Sequence, residues 1–234
     1  GKDKWPVHFV WTHLHIRNGG KGLFLESLNN GGWDRPEYIR SGEQMLELVE
    51  LEPFQKGWLA ATWPDQAGFF GDGKCAMAFM GNWMYGAQAS NSASGEGLAD
   101  ANMGMFNMPM TSGGMGDSGD TLGGINGWLF SSTASDAAVE LMMHYVSLDI
   151  QKEDASNGAY IPIVKGADGS LTNPFLQQVA KNISNSEYHQ IFYDQFLGAD
   201  IGRVVNDVST DLAAGIISAE EATQAVQEAW EFNQ

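Results

Sequence analysis

With 234 residues, 43% hydrophobic and 11% aromatic content, the chain carries enough apolar material for one large domain or two small ones. A formal charge of −17, from 29 acidic against 12 basic residues, argues against nucleic acid and anionic membrane surfaces, which both need a basic patch. The single cysteine excludes an internal disulfide and a CxxC metal or redox site, and no apolar stretch approaches the roughly 20 residues of a membrane-spanning helix.

In chain order, residues 1–18 suit a helix. Trp5, Phe9, Trp11 and Leu14 supply its apolar positions, Pro6 is tolerated in its first turn, and Gly19-Gly20 ends it. His13 and His15 lie two apart, on different helical faces, so they form no metal pair. Each reads as a solvated or singly hydrogen-bonded histidine. Asn29 to Pro36 is a glycine-rich turn. Gly42 to Leu51 is an amphipathic helix, with Met45, Leu46, Leu48 and Val49 apolar and Glu43, Glu47 and Glu50 in solvent, stopped by Pro53. Gly57 to Gln66 reads as another helix.

The chain is organised around Phe69 to Trp83. Gly71-Asp72-Gly73 is a turn, and Cys75 to Met80 is an uninterrupted apolar run between turn residues. That length and punctuation predict a strand buried on both faces, with Cys75 as a buried structural thiol. Gly81-Asn82-Trp83 then sets a large aromatic just past the strand's carboxyl end, where open α/β sheets bind ligands. Gly68 to Cys75 imitates a phosphate-binding P-loop, and Gly71 to Ala76 a dinucleotide fingerprint. Cys75 stands where the magnesium-binding hydroxyl is needed, and the glycines precede the strand instead of following it, so neither site is assigned.

Gln88 to Gly104 is rich in Ser, Ala, Asn and Gly. Met103 to Met110 reads as an edge or terminal strand ending in Met108-Pro109-Met110. Thr111 to Gly124 is a loop whose two acids, Asp117 and Asp120, are too few for a calcium loop. Leu122 to Phe130 is a glycine-punctuated strand. The cluster Ser131 to Asp136 supplies an N-cap for a helix over 137–148, with Val139, Leu141, Met142, Tyr145 and Val146 on its apolar face. Asn157 to Ile163 is a short extended piece. Helices follow over 174–182, over 201–214 up to Gly215, and over 218–232, where Ser218 and Glu221 make a capping box. Between the first two, Tyr188 to Leu197 is aromatic-rich, and no internal repeat is present.

Several of these phrases together resemble a known family. Phe70-Gly71-Asp72-Gly73-Lys74-Cys75-Ala76-Met77, followed by Gly81-Asn82-Trp83, is similar to the central signature of the extracellular solute-binding proteins of family 1, which feed carbohydrate ABC importers. Gly123-Gly124 with Ser135, Asp136 and Ala137 matches the family's glycine-led strand and next helix. Gly158 and Pro162 match its following turn, and Leu212, Gly215, Ile217, Ser218, Glu220, Glu221 and Ala222 match its closing motif. Residues 198–207 look most like the α-glucoside and related glycoside-binding branch. The four motifs stand in the family's order and cover nearly the whole chain.

The resemblance implies an α/β, two-lobed periplasmic-binding-protein fold of type II, present as an incomplete, C-terminal portion that lacks much of the N-terminal lobe. Residues 1–122 would form the first part of the C-terminal lobe, 123–165 an excursion into the N-terminal lobe, and 166–234 the closing helices. It implies a monomeric substrate-binding component of an ABC transporter, not an enzyme. Such a protein captures a small-molecule carbohydrate, an α-glucoside or related glycoside, without a cofactor. It then hands the sugar to the importer's membrane subunits in the bacterial periplasm or outside the cell. The same resemblance places Trp83 at the family's sugar-stacking position, with Asn82 beside it. Trp128 and Asn126, on the lobe-crossing segment, and Gly202 and Arg203, at the start of a helix, are further ligand-binding candidates from the chemistry of indole, amide and guanidinium groups toward sugars; hinge packing by Trp128, a turn held by Asn126 and a salt bridge from Arg203 to Asp200 or Asp207 are the competing readings. Trp5, Trp11, Trp33 and Trp63 read as packing residues. The sequence holds no H-E-x-x-H, G-x-S-x-G or S-x-x-K. A glycoside-processing enzyme using paired carboxylates is the alternative from another class.

Overall fold

The computed structural model describes residues 1–234. In chain order, it contains α1 (Trp5–Asn30), α2 (Pro36–Glu50), α3 (Trp63–Gly71), α4 (Met84–Ser90), β1 (Thr121–Gly123), α5 (Asp136–Tyr145), α6 (Leu148–Ser156), α7 (Pro174–Asn185), β2 (His189–Ile191), α8 (Tyr193–Phe196), α9 (Ala199–Ala213) and α10 (Ala219–Phe232). The two strands pair in parallel with Thr121 opposite His189 and Gly123 opposite Ile191. Helices α1, α2, α9 and α10 pack into one core, each giving an apolar face: Trp11 and Leu14, Tyr38 and Met45, Val205 and Leu212, Ala222 and Val226. Full burial of each of the larger aliphatic side chains among them is worth about 1.5–3 kcal/mol. Trp33 closes the core from the α1–α2 turn, stacked 5.5 Å from Tyr38. Its backbone N–H and that of Gly32 both donate to the Gln227 side chain of α10.

Helix α1 is broken, though not ended, at Gly20, whose φ of 63° is left-handed. The break leaves carbonyls of the first half without helical partners. The loop after residue 110 supplies them: the Met115 and Gly116 amides donate to the Asn18 and Arg17 carbonyls, each at 3.1 Å. Arg17 returns the favour. Its side chain is 1% exposed. Its guanidinium donates to the carbonyls of Met108 (2.9 Å from Nη2), Asp117 (2.9 Å) and Asp120 (3.1 Å). Asn18 bonds Ser41 and Gln44 of α2 and accepts from Thr111, so one turn of α1 pins the long loop to two helices. That loop delivers the chain to β1.

Several expectations need correction. Residues 75–80 do not form a buried strand: they are irregular and unpaired, Met77 is 71% exposed and Cys75 is a half-buried free thiol. A strand is stable only beside another, and the described chain offers this segment no neighbour. The same holds for 103–110, and the strand expected over 122–130 is limited to the three residues that find β2. The helix expected over 57–66 is instead a single turn at Trp58–Ala60 and then α3. The latter is started by Thr62 and Asp65 in a reciprocal capping box. Helix α6 was not foreseen. The capping box at Ser218 and Glu221, the Ser135 cap of α5 and the Asn173 cap of α7 form as the residues predict.

Segment 124–165 stands apart from the main core. No residue of α5 is buried. Leu129 is 100% exposed, and Ile125, Leu141, Met143 and Ile163 are largely so. Only α6, α7 and Leu171 share a small satellite cluster.

His15 also departs from expectation. It is buried between Trp11, Tyr38 and Tyr193, and neither ring nitrogen has a hydrogen-bond partner. Burial depresses it to about 3. His13 donates from Nδ1 to the Phe9 carbonyl at 3.1 Å, and burial, reinforced by the Arg17 charge, lowers it to about 4. In the unfolded chain both titrate near 6.5, so between these values the unfolded state binds more protons. Stability from this source is complete above about pH 6.5 and is lost as pH falls toward 3. Urea unfolding at pH 7 and pH 5 should differ by about 2 kcal/mol for each of these two histidines. His15→Phe should narrow the difference, and equal stability at both pH values would show that neither ring is sealed from water.

Candidate functional site

The carboxyl ends of β1 and β2 open onto an aromatic wall. Phe192 follows β2 directly, and its amide donates to the Gly123 carbonyl at 2.9 Å, which continues the parallel ladder by one residue. Its ring stacks on Phe9 of α1 at 4.2 Å and 12°. Both phenyl rings are buried and form a floor. Trp83 stands edge-on to each, 6.2 Å from Phe9 and 6.1 Å from Phe192. Trp5 lies 6.4 Å from Trp83 and 5.7 Å from Trp63. Trp83 is 37% exposed, while the phenyl rings beneath it are not.

The position of Trp83 depends on Gly81. A Cβ added there would lie 2.3 Å from the Trp83 ring, so the indole rests against a backbone that only glycine leaves bare. Trp83 also occupies the N-cap of α4, and the Met84 amide donates to the Gly81 carbonyl, which holds the turn tight.

Below the floor is His8, fully buried and edge-on to Phe9 with ring centroids 4.8 Å apart. Its Nε2 lies 3.7 Å from an Asp194 oxygen, too long for a hydrogen bond. Burial lowers its affinity for a proton more than the Asp194 charge raises it, so His8 is a neutral packing residue and not half of an ion pair.

The other expected site residues are spread around this wall. Asn82 lies in the turn beside Trp83. Asn126 and Trp128 lie on the exposed 124–130 segment, where Trp128 is 65% exposed and meets Tyr145 edge-on at 6.2 Å. Trp128 makes no ring contact with Trp83. Arg203, on α9, sits 3.4 Å from Asp207, which also holds Lys4 at 2.7 Å. These are solvent-exposed pairs of small energetic worth. Gly202 is buried at the crossing of α9 and α8, where a Cβ would fall 2.5 Å from the Asp194 carbonyl oxygen. Gly202→Ala should therefore cost about 1–3 kcal/mol by pushing backbone against backbone. Thermal unfolding reads the loss, and an unchanged midpoint would mean that α8 moves freely.

The P-loop-like phrase has an ordinary local role here. Gly68 and Gly71 belong to α3, and Lys74 pairs with Asp72 at 2.9 Å while lying over the Phe69 ring. Sequence reading missed Phe9 and Phe192 as the support of Trp83 and set Trp5 and Trp63 aside as packing. The clustering of Trp5 and Phe9 on one helical face was the only available signal, since Phe192 joins them from almost two hundred residues away.

No protein-family model matches the sequence, and no curated protein matches it significantly. Solved structures do match. One comes from work on xylan utilization by the thermophilic bacterium Caldanaerobius polysaccharolyticus, with a TM-score of 0.80 and 22% identity over 97% of this chain and 59% of that one. A chitin oligosaccharide binding protein aligns with a TM-score of 0.84 and 24% identity over 99% of this chain and 58% of its own. The bacterial solute receptor AcbH, described as exclusively preferring β-D-galactopyranose, aligns with a TM-score of 0.67 and 16% identity over 99% and 58%. The chain thus has the α/β fold of part of a two-lobed, type II periplasmic binding protein, rich in helix with a small parallel sheet. It spans just under three-fifths of the length of the structures it matches.

Proposed function

We propose that this protein is the carbohydrate-capturing component of an ABC importer, acting outside the bacterial cytoplasm and delivering sugar to the importer's membrane subunits. The observation that carries the reading is Trp83. It is a half-exposed indole, fixed by Gly81, at the carboxyl end of the parallel strands. Such a flat, rigid, partly desolvated face suits the C–H surface of a pyranose, and neighbouring amides such as Asn82 suit its hydroxyls. The fold shared with a chitin oligosaccharide binding protein and with AcbH supports the carbohydrate class.

In this reading the main core is one lobe, and residues 123–165 belong to the opposite lobe. Asn126 and Trp128 approach the sugar from that side when the lobes close. Arg203 reaches the ligand only by leaving Asp207, and Gly202 contributes by setting how closely α9 approaches α8 at Asp194.

Tryptophan fluorescence titrated with α-glucosides, galactose, xylo-oligosaccharides and chito-oligosaccharides tests the proposal. A saturable change with at least one of them, and recovery of that sugar intact, is the expected result. No response to any sugar at millimolar concentration overturns it, and a shortened sugar would favour a glycoside-processing enzyme.

A further inference from the structure

Trp83 is one of three indoles in a row. Trp63, Trp5 and Trp83 succeed one another with ring centroids 5.7 and 6.4 Å apart and planes tilted by 57° and 54°. All three are partly exposed, whereas Trp11 and Trp33 are sealed in the core. Each stands on a different element: Trp63 starts α3, Trp5 starts α1 and Trp83 precedes α4. The row is tied together. The Trp63 amide donates to the Asp3 carboxylate at 2.6 Å, which joins α3 to the turn before α1. Phe9 touches both Trp5, at 5.4 Å, and Trp83, at 6.2 Å.

One pyranose covers one indole face. A monosaccharide on Trp83 would leave the solvent-facing parts of Trp5 and Trp63, which otherwise pack on each other and on Phe9 and Trp83, without a sugar. The centroid steps are comparable to the advance of one sugar residue along an oligosaccharide, and the tilts make the platform turn as it advances. A soluble chain free to twist about its glycosidic bonds can follow that turn, and a flat crystalline face cannot. Building on the carbohydrate reading above, we propose that the ligand is an oligosaccharide of at least three units, with successive rings on Trp83, Trp5 and Trp63.

Titration calorimetry of the protein with matched series of one, two and three units tests this, using xylose, N-acetylglucosamine and α-linked glucose oligomers. In at least one series, affinity should rise about tenfold for each added unit that gains an aromatic face. Trp63→Ala should lower trisaccharide affinity about tenfold and flatten the dependence on length. If that variant fails to fold by circular dichroism, Trp63→Leu, which keeps an apolar side chain and removes the aromatic face, should do the same. Tight binding of a single sugar with no gain from longer chains overturns the oligosaccharide inference and leaves the carbohydrate reading standing. Binding of no member of any series overturns both.

Discussion

Arg17→Ala should destabilise the protein by about 3–5 kcal/mol, the cost of removing a buried charged donor whose partners stay behind. The guanidinium is one of the largest fully buried groups in the chain, and its partners are backbone carbonyls of Met108, Asp117 and Asp120, with Ser118 at 3.4 Å. Those carbonyls cannot move away together, because the same loop donates to the broken end of α1 through Met115 and Gly116. Burial lowers the Arg17 pKa, while Asp120 and Asp117 oppose the shift, so the group stays charged. Arg17→Lys should recover little, since an ammonium cannot reach several divergent carbonyls as the planar fork does. Urea unfolding measures the loss, and in a protein of this size the midpoint temperature should fall by roughly 10 °C. A loss under about 1 kcal/mol would mean that the loop is held by other contacts. Because this loop leads into β1, the variant should also loosen the carboxyl ends of the strands and lower ligand affinity.

Trp83→Ala should weaken sugar binding by about one to a few kcal/mol, or roughly tenfold to several hundredfold, by removing the stacking face. Its effect on folding should be much smaller than that of Trp11→Ala, because Trp11 is wholly buried and Trp83 is not. The pair of variants therefore separates binding from stability. Trp83→Ala with native stability and unchanged affinity for the sugar that titrates the parent protein would remove Trp83 from the site. Gly81→Ala offers a second check from the backbone side. Its Cβ would displace the indole, so affinity should fall even though every ring atom of Trp83 is still present.

Local chemistry was legible wherever a residue acts on its near neighbours. Ser218 with Glu221, Ser135 and Asn173 cap the helices they precede, and Gly215 follows the end of α9, because capping needs only a side chain and a backbone amide two or three residues away. The α/β fold class was legible through ordered motifs spread along the chain, and shape similarity to solved sugar-binding structures agrees with it. Strands were the least legible. The apolar run 75–80 has the composition of a buried strand, yet a strand exists only where another backbone lies alongside, and the sequence of one segment carries no information about that neighbour.

What the sequence determined by itself is the set of helices that close the core, the turn at Gly81 and the presence of an indole directly after it. What only the tertiary structure decided is which tryptophans are sealed and which face solvent, and that Phe192 and Phe9 carry Trp83. It also decided that Arg17, an ordinary helical arginine in sequence, is the buried tie between α1 and the loop before β1. The physical reason is range. Capping and helical periodicity act within a turn or two of chain. Burial and ring stacking are instead set by residues far apart in sequence, and a residue's own type cannot say whether a distant segment will cover it.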